Sequence, residues 1–403
     1  MNVGIYFPDI VPDEGGGYTF NEEFFRSFLS AARESNHSFV IFTSKDIEPI
    51  VSSYQLENVT CELIQRPGII ERGFEILTRN FGSSSPLILK MEPKISSFES
   101  LLRKKKIDFM IFGHPFHEPV DIPYVSMVWD LQHRLQPWFP EVGPRWIWYP
   151  RERYYHRALQ RASYIITGTT AGKDEISLFY GIPHNRIKIL PHPVPDYAFR
   201  GEIGGDKDTV LKKYGITGDF LLYPAQFWSH KNHVTLLYAL KSARETYKLP
   251  LSLVLVGSDK GNLGYVRKKV SALGLSGAVH FTGFIPREDL VVLYQNALAL
   301  VYLTFFGPEN LPPLEAFALG CPVIASNVSG SEEQLGDAAL LVDPKDSGNA
   351  AAAIALLYND ENIRSALIRK GYDRAMKWTG RDFIRGIFAI IDDFERIRRC
   401  WDT

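Results

Sequence analysis

Short apolar, β-branched runs alternate with helix-period segments along almost the whole chain. In the first half NVGIYF, SFVIFT, DFMIFG, VSMVW and SYIITG predict strands. Amphipathic patterns lie between them, such as FNEEFFRSFLSAARES, where Phe20, Phe24, Phe28 and Ala32 share one face. Apolar runs without alternation, separated by helices, predict parallel sheets covered on both sides. A second series follows, with DFLLYPAQ, LSLVLVG, AVHFTGF, LALVYLT, PVIAS and ALLVDP as strands and HVTLLYALKSARETY and EDLVVLYQNA among the helices. Between the two series the chain turns polar and glycine-rich, which marks a linker over 196–218. The expected fold class is α/β, with one Rossmann-like, doubly wound domain over 1–195 and another over 219–378, facing each other across a cleft. The tail, 379–403, reads as a closing amphipathic helix with the option of packing back across the first domain.

Bulk properties narrow the class. At 403 residues the chain exceeds what one compact core fills, in keeping with two domains. A formal net charge of -1 argues against a dedicated nucleic-acid binder. Cys61, Cys321 and Cys400 are odd in number and show no CxxC or metal-ligand rhythm, so unpaired thiols in a reducing cytoplasm are expected. The start of the chain lacks a basic segment followed by an apolar one, and no stretch reaches the length of a spanning helix.

The densest chemistry lies in FFGPENLPPLEAFALGCPVIAS, residues 305–326. A strand feeds a loop that opens a helix at Pro312-Pro313, where proline is at home because the first turn's N–H groups have no intrahelical partner. The remaining N–H groups and the positive end of the helix dipole form a natural seat for phosphate. Gly307 permits close backbone approach, and Glu315, one turn into the helix, can accept from a ribose diol. A plain strand–turn–helix with a tight bend accounts for the same residues.

At these positions the chain resembles glycosyltransferase family 4, of the GT-B fold, from LPPLEAFALGCPVIAS through GDAALLVDP. The resemblance is dense in the second domain and loose in the first. It implies that the loop and helix, with Asn310, Leu311 and Glu315, hold the diphosphate and ribose of a nucleotide sugar. Glu315 matches the second Glu of the family's E-x7-E motif. The first would fall at Gly307, a departure, and Glu309 two residues later is the candidate to present a carboxylate from a remodelled loop. In YPAQFWSHKNHVTLLYAL, Lys231 sits where the family has its diphosphate-clamping Lys. The family's Arg position falls near Ala225-Gln226, which leaves His230 or Gln226 to contribute. In HFTGFIP, backbone groups of Phe284 and Ile285 resemble the base-reading turn.

In the first domain, Gly15, Gly16 and Gly17 follow the first strand. Such a run lets backbone N–H groups approach an anion or sugar, and here it resembles the family's first loop, against the donor phosphate; a flexible loop is the plainer alternative. IFGHPFHEP places His114 and His117 after a strand, and MVWDLQHRLQPWFPEV places Asp130, His133 and Arg134 after another. The second segment resembles the family's HDL turn, with Trp129 where His would stand. Strand C-terminal ends are where ligands bind in open sheets, so His114, Asp130 and His133 join Glu309 as catalytic candidates. A packed or surface histidine is the common alternative.

The resemblance implies a retaining glycosyltransferase that moves a hexose-type sugar from a nucleotide-diphosphate sugar to a glycan or lipid-linked acceptor, in polysaccharide or glycolipid assembly. No cofactor beyond that co-substrate is expected, and, with no D-x-D carboxylate pair of the sort metal-dependent sugar transferases use and no His/Cys cluster, no metal. QPWFPEVGPRWIWYPRERYYHRAL, rich in Trp, Tyr and Arg, reads either as a packed loop and helix or as an acceptor or membrane-surface platform. The expected location is the cytoplasm, with peripheral contact at the inner membrane surface as an option. A catalytically silent GT-B sugar-binding or partner protein, and a GT-B epimerase or phosphorylase, are the alternatives.

Overall fold

The computed structural model describes residues 1–8, 15–44, 47–64, 97–118, 120–200 and 205–401. Its first sheet holds β1 (Asn2–Tyr6), β2 (Ser38–Thr43), β3 (Val59–Leu63), β4 (Phe109–Phe112), β5 (Tyr124–Met127), β6 (Tyr164–Thr167) and β7 (Ile187–Ile189), in the order β3-β2-β1-β4-β5-β6-β7. Its second holds β8 (Phe220–Pro224), β9 (Ser252–Val256), β10 (Val279–Gly283), β11 (Ala299–Tyr302), β12 (Val323–Ser326) and β13 (Ala339–Val342), ordered β10-β9-β8-β11-β12-β13. Every strand pair is parallel. In both sheets the order in which strands are added reverses once, between β1 and β4 and between β8 and β11, as in doubly wound Rossmann-like sheets.

The apolar runs form the central strands because parallel sheets need both faces covered: β4, β5, β6, β9, β11 and β12 are buried throughout. The edge strands β3 and β7 escape that pattern. VTCEL mixes buried and exposed positions and IKI is three residues long, so neither carries a readable apolar run. Of the expected linker, residues 201–204 lie outside the described residues, while helical turns occupy Asp196–Arg200 and Lys207–Lys213.

The helices that matter below are α1 (Gly16–Ala31), α2 (Arg145–Arg161), α3 (Leu311–Ala318) and α4 (Gly380–Arg398). Helix α4 starts with a capping box: the Asp382 carboxylate accepts from the Thr379 backbone N–H at 2.9 Å, and Asp382 N–H donates back to the Thr379 hydroxyl. Its apolar face packs on the first sheet and α1. Phe383 meets Phe20 and Phe24 edge-on at 5.7 and 5.8 Å, and Phe394 stacks on Phe109 at 4.4 Å. The last helix of the chain is therefore part of the core that holds α1, and α1 begins at the glycine turn. Phe383→Ala is expected to lower stability by about 3–5 kcal/mol, read as a lower urea midpoint at unchanged slope. A loss under about 1 kcal/mol would show that α4 is not part of that core.

Candidate active site

A cavity of about 450 Å³ lies between the two sheets. Its walls come from segments that follow strand C-terminal ends: Gly15–Gly17 after β1, Trp129 and Asp130 after β5, and His192 after β7. From the second sheet come Gln226 after β8, Ser258 after β9, Phe284 after β10 and 306–312 after β11. That volume is the size of an ordinary small-molecule site.

The loop into α3 is fixed by its own amides. Asn310 Nδ2 donates to Gly307 O at 2.9 Å, and Gln334 bonds both the N–H and the C=O of Asn310 at 3.0 and 3.1 Å. Gly307 has φ 137°, and a Cβ there would lie 2.6 Å from the Asn310 amide nitrogen. A side chain there would be strained by that φ and would displace the Asn310 amide; the carboxylate of this loop is that of Glu309. It crosses to the first sheet, where Oε1 accepts from the His192 backbone N–H at 2.7 Å and Oε2 lies 3.7 Å from His192 Nε2. It fills the space beside Gly168, where a Cβ would stand 1.4 Å from Oε2. Burial raises the Glu309 pKa from 4.5 to about 8; the His192 N–H opposes the rise and the nearby Glu333 adds to it. Burial also lowers His192 to about 4, so near neutral pH both groups are uncharged.

Lys231 is the one Lys or Arg among the described residues lining the cavity. It ends the turn Ser229–Lys231, and the next residue, Asn232, is anchored in the left-handed region with its amide on Leu303 O and Pro344 O at 2.9 and 2.7 Å. Lys231 Nζ donates to the Tyr302 hydroxyl at 3.0 Å and lies 3.5 Å from Asn310 Oδ1. These neutral partners orient the ammonium without cancelling its charge. Gln226 lines the wall and accepts from Trp228 Nε1 at 3.0 Å. His230 is tied to Glu141 of the first-sheet half, 2.5 Å from Nδ1, an interaction that opposes the lowering of its pKa by burial.

Phe284 is 59% exposed and lines the cavity, whereas Ile285 is buried. Leu311 and Pro312 bring the first turn of α3 to the wall. Glu315, one turn further, does not figure among the described lining residues. It is buried, accepting from the Tyr294 hydroxyl at 2.7 Å; burial raises its pKa, and bonds from Tyr294 and Tyr197 oppose the rise.

On the first-sheet side Gly15, Gly16 and Gly17 line the cavity where α1 begins. Asp130 lines it too. Burial acts to raise its pKa, but Arg151 Nη2, 2.6 Å from Oδ1, and the Gln132 backbone N–H, 2.9 Å away, leave it below the ordinary value. The histidines differ. His133 is wholly buried, with Nε2 3.1 Å from Glu152 and 3.3 Å from the Tyr180 hydroxyl, and burial lowers it to about 4. His114 accepts from the Phe116 N–H at 3.1 Å and packs edge-on to Trp129 at 5.0 Å. His117 is stacked on Phe112 at 3.7 Å. None of the three figures among the described lining residues. His192, Trp129 and Gln132 do, and sequence reasoning did not single them out as site residues. A polar residue just past a strand end was the available signal for His192, but β7 is too short to announce that end.

Comparison with known proteins fits this geometry. Residues 206–374 match the model of the family described as Glycosyl transferases group 1. The O-antigen chain mannosyltransferase B of Escherichia coli is 28% identical over 242 residues, which are 60% of this chain and 63% of that protein, less than two thirds of its length. Among solved structures, a glycosyltransferase from Rickettsia africae superposes with a TM-score of 0.70 at 13% identity, covering 97% of this chain and 98% of that one. Anabaena HepE, solved with UDP and glucose, gives 0.68 at 14% identity, covering 98% and 100%. The fold is GT-B, two Rossmann-like domains about a cleft.

The raised Glu309 pKa makes stability depend on pH. Between 4.5 and about 8 the folded protein holds a proton that the unfolded chain has lost, so the Glu309 contribution is greatest below 4.5 and falls as pH rises toward 8. Glu309→Gln removes that dependence. The melting temperature of the variant minus that of the wild type is expected to grow steadily from pH 5 to pH 8, measured in parallel thermal scans; a constant difference would place the Glu309 ionisation near its ordinary value.

Proposed function

We propose that the protein is a retaining, metal-independent glycosyltransferase that moves a hexose from a nucleoside diphosphate sugar to a glycan or lipid-linked acceptor. One observation carries the reading: a cavity walled by the strand ends of both sheets, with a lone oriented ammonium on one side and two differently tuned carboxyl groups beside it.

In this reading the base lies against Phe284. The diphosphate meets Lys231, the first turn of α3 with Asn310 and Leu311, and the glycine turn at Gly16 and Gly17, which together stabilise charge on the leaving group. Glu315 supports the helix turn from behind through Tyr294 and Tyr197. The acceptor hydroxyl attacks on the leaving-group side, and its proton passes to the departing phosphate. Glu309 gives up its proton to solvent as the donor binds, and its carboxylate then meets the oxocarbenium-like sugar, whose developing positive charge is the counter-charge it lacks in the ligand-free protein. Asp130, held ionised by Arg151, serves the acceptor side. Exposed Trp138 and Trp146, 71% and 75% accessible, flank the loop whose Glu141 bonds His230 of the cavity wall, and support an acceptor presented at a glycolipid surface. Among the described residues no helix is long and apolar enough to cross a membrane. The E. coli relative, an O-antigen chain mannosyltransferase, favours polysaccharide assembly as the setting.

Thermal unfolding against UDP, GDP, TDP, ADP and CMP tests the donor site. At about a hundredfold excess over Kd, a ligand adds roughly 2.7 kcal/mol and raises the midpoint by a few degrees. One base is expected to do so, and Lys231→Ala to weaken that ligand at least tenfold. No shift with any nucleotide would overturn the reading.

A further inference from the structure

We infer that Gln132 is a specificity-determining residue whose side-chain amide donates to a sugar hydroxyl of the bound substrate. Gln132 opens the helical turn Gln132–Leu135 that follows β5. It lines the cavity, yet it is only 5% exposed, and its Nε2 is buried with no hydrogen-bond partner. Buried donors are almost always paired in folded proteins, so an unpaired one at a cavity wall points to a ligand atom that completes it. Trp129, three residues earlier and on the same wall, has its indole Nε1 in the same condition.

Between these two donors stands Asp130. Arg151 Nη2 reaches its Oδ1 at 2.6 Å and its backbone carbonyl at 3.1 Å, while Gln136 N–H fixes the turn by donating to Gln132 O at 2.7 Å. One segment therefore contributes to the wall of a single cavity two residues with unpaired N–H donors and, between them, a carboxylate. A phosphate only accepts hydrogen bonds and is repelled by Asp130. A hydroxyl both donates and accepts, so a neutral polyol matches the set, and the phosphates belong on the Lys231 side. The identification of that polyol as the donor hexose or the acceptor glycan rests on the transfer reaction proposed above.

The test is Gln132→Leu, which keeps bulk and removes the amide. Calorimetry is run with the nucleoside diphosphate that the wild type binds and with its hexose conjugate, and acceptor KM is measured alongside. Free diphosphate is expected to bind within twofold of wild type. A tenfold weaker conjugate assigns Gln132 to the donor hexose, and a tenfold higher acceptor KM with unchanged conjugate assigns it to the acceptor. Both within twofold would overturn the inference. An independent readout is the Gln132 side-chain amide resonance of the 15N-labelled wild type, identified by its loss in the variant, or in Gln132→Asn should Gln132→Leu fail to fold. It is expected to move on titration with glucose or mannose, or with the conjugate. If no nucleotide binds but this resonance moves with free hexose, the transfer reading fails and the Gln132 assignment stands. If a conjugate binds and the resonance stays fixed, with acceptor KM also unchanged in the variant, the Gln132 assignment fails and the transfer reading stands.

Discussion

Every strand in both sheets runs parallel to its neighbours, and the rest of the molecule follows from that constraint. A parallel strand can be re-entered only through a crossover, so all strand C-terminal ends of a sheet emerge at one edge. The apolar strands are buried on both faces, which leaves that edge as the place where loops can carry polar chemistry. Two such edges face each other here, and polar side chains cross between them: Glu309 to His192, Glu141 to His230, Gln136 to Phe305 O, and Arg287 to Glu22. The cavity is what those crossings leave open.

Within it, the same low-dielectric surroundings act in opposite directions on two carboxyl groups. Asp130 has a guanidinium within hydrogen-bond reach and stays ionised, while Glu309 has only a backbone N–H and an uncharged imidazole and holds its proton toward pH 8. Lys231 is faced by a phenol and an amide rather than by a carboxylate. In the proposed reading, this contrast divides the cavity into a Lys231 side that takes the phosphates and an Asp130 side that takes neutral hydroxyls.

Much of the architecture could be read from the chain because parallel strands are apolar throughout, so their runs stand out without any alternation. The edge strands β3 and β7 were hidden for the same reason, since one face of an edge is partly solvated and Thr60, Glu62 and Lys188 break the run. At the site, residues whose backbone does the positioning were legible: the glycine turn, the Pro-Pro helix start, and Lys231 beside a strand end all meet at the cavity. Side-chain direction was not. Asp130 and His133 are three residues apart on one turn, yet one faces the cavity and the other packs against Glu152, Tyr155 and Tyr180. Gly307 shows the converse case: where a Glu was expected, the backbone takes a positive φ and Asn310 folds back against it, an arrangement visible only in the structure.

The most direct test of the account is a crystal structure with the stabilising nucleoside diphosphate and its hexose conjugate bound. The account predicts phosphate oxygens within hydrogen-bonding distance of Lys231 Nζ, the base against Phe284, and the hexose beside Glu309. Phosphates seated against Asp130, or a nucleotide bound outside the cleft between the two sheets, would contradict it.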